Sequence, residues 1–169
     1  MAKRSRRILI GSGVGVILVA GLLVWFYAAY SMAPAKAFTV NDPASPQRVL
    51  IATQGSKFKD AVVQGVVEKL KSRPIYMQVM DVSGLGAIDE RQWSAIVVLH
   101  TFQLSQPQPD AAAFIARAKA SHKVVVLGTS GEGTLKIEGI DALTSASKLV
   151  DVPARVADIV ARVDAVLAH

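Results

Sequence analysis

Arg48-Val-Leu-Ile-Ala-Thr-Gln-Gly-Ser-Lys-Phe-Lys59 opens on an apolar run, Val49 to Ala52, that halts at Thr-Gln-Gly-Ser before a helical pattern takes over. The run is short, unbroken and bounded by turn residues, as a strand would be. Beyond it Phe58, Val62, Val66 and Leu70 recur every fourth residue with Val63 and Val67 beside them, which makes one apolar helix face. A strand, a short polar loop and a helix in this order form the opening unit of an open α/β domain. The loop then lies at a helix N-terminus, where backbone N–H groups can receive an anion.

Reading toward the C-terminus, Arg73-Pro74 ends the helix and Ile75–Val82 is a second strand whose partial alternation suits an outer place in the sheet. One turn of helix is expected near Asp89–Trp93. Ala95–Leu99 (AIVVL) is a third, continuously apolar strand. Pro107 and Pro109 bar an early helix, and Asp110 is expected to cap one that runs to about Ser121 and buries Phe114, Ile115 and Ala118. Lys123–Leu127 (KVVVL) is the fourth strand, ending in Gly128-Thr-Ser-Gly-Glu-Gly133. Ile140–Ser145 is a short fifth, and Pro153 opens a last helix with Val156, Ile159, Val160, Val163 and Leu167 on one face. Alternating strands and helices imply a parallel sheet with right-handed crossovers. Thr129 to Gly139 carries no helical pattern, so that link is either irregular or holds a small extra strand at Leu135–Glu138.

Toward the N-terminus the chain changes character. Residues 32–47, with Pro34, Pro43 and Pro46, read as a linker holding a short extended piece at Ala37–Val40. Before it, Ile8 to Tyr30 contains no charge. As a helix this block would reach roughly 35 Å at ~1.5 Å per residue, enough to cross a bilayer. Lys3, Arg4, Arg6 and Arg7 precede it, and Trp25, Phe26, Tyr27 and Tyr30 gather at its far end. Basic residues stay on the cytoplasmic side and aromatic rings favour the interface. The expected plan is a cytoplasmic basic N-terminus at 1–7, a transmembrane helix at 8–31, the linker, and an extracytoplasmic domain at 48–169. Ser31-Met32-Ala33 and Ala35-Lys36-Ala37 resemble cleavage sites, but the apolar block exceeds the ~7–15 residues of a signal-peptide core, which favours a retained single-pass anchor in the cell membrane. Gly11 and Gly15 form a GxxxG, a weak signal in a glycine-rich span.

The net charge of +6 divides unevenly: 19 basic and 13 acidic residues become 15 and 13 once the four basic residues before the apolar block are set aside. The domain is nearly neutral and shows no interleaving of basic and aromatic residues, which argues against a nucleic-acid partner. Cysteine is absent, which removes disulfides and thiolate chemistry.

The strand–loop–helix opening on VLIATQGS, the loop after AIVVL, the glycine-rich loop after KVVVL and the terminal helix together resemble the flavodoxin-like family over residues 48–169. The resemblance implies an α/β, flavodoxin-like three-layer sandwich with a parallel sheet of 4–5 strands in the order 2-1-3-4-5. It also implies FMN as cofactor, electron transfer as function and a membrane redox partner. By position, the phosphate loop would be Thr53, Gln54, Gly55, Ser56 and Lys57. The ring loops would be His100–Leu104, with His100, Thr101 and Phe102 nearest the flavin, and Thr129–Gly133, with Thr129, Ser130 and Gly131. The match departs from the family's T-x-T-G-x-T pattern: aligned on Gly55, the hydroxyl positions hold Ala52, Gln54 and Lys57, and Phe102 is the one well-placed aromatic. Lys57 or Lys59 could instead meet a phosphate as point charges. A cofactor-free relative that binds through the same loop edge is the alternative.

Other chemistry is weaker. Asp141-Ala-Leu-Thr-Ser-Ala-Ser147 resembles a D-A-x-S-G-A-T acceptor of covalent FMN, with Ser147 at the acceptor position, but small residues produce such a match easily. Gly128-Thr-Ser-Gly-Glu has Glu132 where a nucleophile elbow needs glycine. A triad of Ser130, His100 and Asp81 would need strand two beside strand four. His100, His122 and His169 lack zinc-site spacing. Gly84-Leu-Gly86 follows the wrong strand for a dinucleotide fold.

Overall fold

The computed structural model of the protein describes residues 16–23, 25 and 32–168. One compact unit spans Ala33–His169 and another Met1–Met32. Within the latter, residues 16–23 and 25 are helical. Among the described residues no helix is long and apolar enough to cross a membrane. The remainder of the span expected at 8–31 lies outside the described residues.

The larger unit is built on β3 (Gln47–Gly55), β4 (Ile75–Asp81), β5 (Ala95–Gln103), β7 (Val124–Thr129) and β8 (Leu143–Ser145). These run parallel in the spatial order β4-β3-β5-β7-β8, the 2-1-3-4-5 arrangement expected from the sequence. Three antiparallel pieces complete a mixed sheet of eight strands: β1 (Ala33–Pro34) on the end of β3, β2 (Phe38–Val40) outside β4, and β6 (Gln106–Pro107) folded back on β5. Residues expected to be a free linker therefore belong to the sheet. Of these, only the extended piece near Phe38 was legible in advance.

The central strands are apolar throughout because both faces are covered. Along β3, Val49 and Ile51 enter one core while Leu50 and Ala52 enter the other, and Val97 and Leu99 alternate with Ile96 and Val98 along β5. The first core lies under α1 (Lys57–Leu70) and α3 (Val152–Leu167), which bury Phe58, Val62, Val66, Leu70, Val156, Ile159 and Val163. Each such side chain contributes about 1.5–3 kcal/mol when fully buried. The second core lies under α2 (Pro109–Ala118), which supplies Phe114 and Ile115. The result is three layers.

Several local readings differ from the structure. The helix α2 starts one residue before Asp110, with Pro109 in its first turn and the Gln108 side chain accepting from the Ala111 N–H at 2.6 Å. Proline is tolerated there because a first-turn N–H has no intrahelical partner to lose. In the crossover from β4 to β5 the expected single turn is the 3-10 turn Glu90–Gln92, and a second one at Val82–Ala87, not foreseen, fills the second core with Val82 and Leu85. Of the two alternatives for the link from β7 to β8 the irregular one holds: it has no regular element, and Ile137 and Ile140 pack it against the second core. Trp93 lies at the opposite edge from the candidate site, packed beside Tyr76 with the Arg48 guanidinium over both rings.

Candidate functional site

The parallel strands all end at one edge, which gathers the residues after β3, β5 and β7 as the sequence suggests. What they form there is not an open loop cluster.

The first difference is at β3. Thr53, Gln54 and Gly55 are strand residues, and only Ser56 stands between the strand and α1. Gly55 pairs with Ala33 and Gln54 with Pro34 of β1. A side chain at position 55 would meet the Ala33 carbonyl oxygen at 2.7 Å and that of Pro34 at 2.9 Å. The glycine is thus needed for close approach by the chain's own strand. Ser56, extended at φ −161°, caps α1, its side chain accepting from the Lys59 N–H at 3.2 Å. Beside it the Ala35 N–H donates to Asp81 Oδ2 at 2.7 Å, which fastens the segment after β1 to the end of β4. Lys57 is exposed at the first position of α1.

Lys59 turns inward and is 1% exposed. Its Nζ donates to Thr101 Oγ1 at 2.6 Å, the Thr101 and Thr129 hydroxyls are 3.0 Å apart, and the Thr129 hydroxyl donates to the His100 carbonyl at 3.2 Å. One direction of donation satisfies the whole series, from ammonium to threonine to threonine to backbone. The Gln54 side chain is used as well, accepting from the Thr101 N–H at 2.7 Å. Burial lowers the Lys59 pKa to about 8, against the opposing effect of Asp60.

His100 is fully buried, and neither Nδ1 nor Nε2 has a hydrogen-bond partner. Burial pushes its pKa down to about 4, and the Lys59 charge lowers it further. The neutral ring packs on Phe102 at 4.9 Å between centroids, and both lie against Gly128. The Thr101 backbone opposes that downward pKa shift without reversing it. Ser130 is half-buried, its N–H donating to the Ser145 carbonyl and its hydroxyl accepting from the Gly133 N–H, and Gly131 is exposed at the rim. Asp81 and Ser130 are bonded elsewhere and the His100 ring nitrogens have no partner, so the three form no triad. Ser147 is exposed in a positive-φ turn, and among the described residues no His, Cys, Asp or Glu group is arranged for a metal.

FMN is the group the resemblance implies, and its phosphate needs several backbone N–H groups directed at one point. Here β3 continues to Gly55, β1 lies on its end, and the Ser56 hydroxyl and the Gln54 amide oxygen already accept from backbone N–H groups. As arranged, these residues do not form that cradle. The ring loops are likewise closed, Phe102 on His100 and Ser130 on Gly133. Two contributions were not visible in the sequence. An Ala-Pro pair has no strand propensity to announce β1, and a lysine at helix spacing reads as solvated until its partner on β5 is known.

No family model and no curated protein sequence matches the chain. Among solved structures, the chain is similar to the metal-soaked Flv1 flavodiiron core from Synechocystis sp. PCC6803, at 12% identity and a TM-score of 0.54, over 73% of this chain and 36% of that one. An oxidoreductase from Corynebacterium diphtheriae is matched at 8% identity and a TM-score of 0.48, over 72% of this chain and 97% of that one. Rubredoxin oxygen:oxidoreductase from Desulfovibrio gigas is matched at 13% identity and a TM-score of 0.45, over 76% and 38%. The chain spans about a third of the flavodiiron core's length, and the likeness is one of fold.

Proposed function

We propose that the chain is a membrane-anchored, flavodoxin-like module that works without FMN and binds through the C-terminal edge of its sheet. The observation that carries this reading is the pairing of Ala33 and Pro34 with Gly55 and Gln54, which puts polypeptide where the phosphate of a flavin would be held. The inward turn of Lys59 onto Thr101 supports it, since the remaining polar groups at the strand ends satisfy one another. The anchoring reading is supported by the apolar block at 8–31 and its basic flank, which favour a cytoplasmic N-terminus and a domain on the other side.

The competing reading, an FMN-dependent electron carrier serving a membrane redox partner, draws on the fold likeness and on the exposed Lys57 at the start of α1. One titration separates the two. The full chain, purified in mild detergent, is expected to be colourless and to leave the fluorescence of added FMN unchanged. A flavin absorbance band in the purified protein, or saturable quenching of FMN, would establish the electron-carrier reading instead. The side of the membrane is checked with a reporter enzyme active only outside the cytoplasm, fused after His169. It is expected to be active, and activity of a cytoplasmic reporter at the same position would reverse the topology.

A further inference from the structure

We infer that the C-terminal edge of the sheet rests on the lipid surface, with Leu104, Leu149 and Val150 entering its interfacial layer. The inference deepens the membrane-anchored reading above and rests on it.

Three observations converge. In the unit Ala33–His169, the exposed large hydrophobic residues among those described are Leu104, Leu149 and Val150, at 90%, 59% and 81%. All three stand at one edge. Leu104 is at the tip of the β5–β6 hairpin, beyond Thr101, the last β5 residue paired in parallel with β7. Leu149 and Val150 lie in the 3-10 turn that leads into α3. The opposite end of α3 is fixed to the far edge, where Gln47 Nε2 donates to the Leu167 carbonyl. Leucines scattered singly over a surface need no explanation, but confinement of every such residue to one edge does.

The second observation is the backbone under Leu104. It and Ser105 have φ of 49° and 62°, the two-residue hairpin conformation that favours Asn-Gly. A large apolar side chain is held outward at a position where a polar residue would fit with less strain.

The third is where the chain enters. β1 pairs with Gly55 at this same edge, and only Ser31 and Met32 stand between Ala33 and Tyr30, the last residue of the uncharged block. Three residue steps reach at most ~10 Å. The chain that follows the uncharged block therefore joins the domain at this edge, and the nine residues of β3 set the other edge roughly 30 Å from it. Charges of both signs stand on the near edge, Lys57 and Lys148 with Asp110 and Glu132, so apolar burial rather than charge drives the contact.

Because the chain has no cysteine, single-cysteine variants of the full chain can each carry one environment-sensitive fluorophore. Leu104→Cys and Val150→Cys report the proposed contact, and Ala44→Cys, exposed at the opposite edge, is the control. In vesicles of phosphatidylethanolamine and phosphatidylglycerol, a quencher carried on lipid headgroups is expected to dim the probes at 104 and 150 and leave the probe at 44 bright. Equal brightness at all three positions, with the protein retained after alkaline extraction, would overturn the lipid contact while leaving the anchor intact. Release of the protein by alkaline extraction would overturn the anchor and this inference with it. Probes at 104 and 150 that resist the lipid quencher but shift with protein density would mark contact between copies and overturn the inference.

Discussion

Lys59 and His100 meet the same edge of the sheet from opposite faces, and each bears on stability through its proton. Lys59 has a folded pKa of about 8 against 10.5, so the unfolded chain binds more protons between those values and stability rises with pH across that window. His100, at about 4 against 6.5, gives a second rise, so that stability is lost as pH falls from 6.5 toward 4. Each full shift corresponds to about 3 kcal/mol. Denaturant titrations are expected to show a level region between pH 6.5 and 8 flanked by these two limbs. Lys59→Met fills a similar volume and leaves Thr101 and Thr129 bonded to each other. It is expected to raise stability at pH 7 by about 1–3 kcal/mol and to flatten the alkaline limb alone. An unchanged alkaline limb in that variant would show that the lysine is not the group responsible.

At the scale of elements, the contact between α1 and α3 depends on Gly65, where an added Cβ would lie 2.6 Å from Val156 Cγ2 and 3.3 Å from Cγ1. Alanine is the better helix former by about 1 kcal/mol, but overpacking costs typically 1–3 kcal/mol and a β-branched neighbour cannot swing aside. Gly65→Ala is expected to lose about 1 kcal/mol by thermal or chemical unfolding. The same change with Val156→Ala should cost less than the two single losses added together. Additive losses would show that the helices part without strain. The elements most legible in the sequence were those with one dominant cause. The runs VLIA, AIVVL and KVVVL are strands because two cores claim them, and the spacing of Phe58, Val62, Val66 and Leu70 fixes α1. The elements that escaped have causes distant in the chain. Ala33 and Pro34 are strand only because Gly55 admits them, and Thr53 to Gly55 remain strand only because β1 is there to pair with them. The candidate site suffered most for this reason, since its expected openness depended on residues some twenty positions earlier.

Over the whole molecule, order is uneven. β3, β5 and β7 hold fully buried runs, whereas the link from residue 131 to 142 has no helix or strand and many exposed positions. Native-state hydrogen exchange is expected to leave the amides of Ile51, Val97 and Leu127 protected to the global unfolding limit, with Lys136 and Glu138 exchanging orders of magnitude faster. Slow exchange across the link would reveal a fixed structure there that the turns alone do not provide. The manner in which the chain joins its sheet also has a mechanical side. Tension drawn through Met32 reaches β1 first, and β1 runs antiparallel to β3 with only two paired residues. Drawn outward from the edge, such a pull runs along the strands and loads both pairs at once, so the ladder is weak because it is short. The Ala35–Asp81 bond and then the three pairs of β2 with β4 would take the load in turn. The strap over Gly55 therefore behaves as a soft first spring, which yields and re-forms under small forces before the parallel sheet bears any strain.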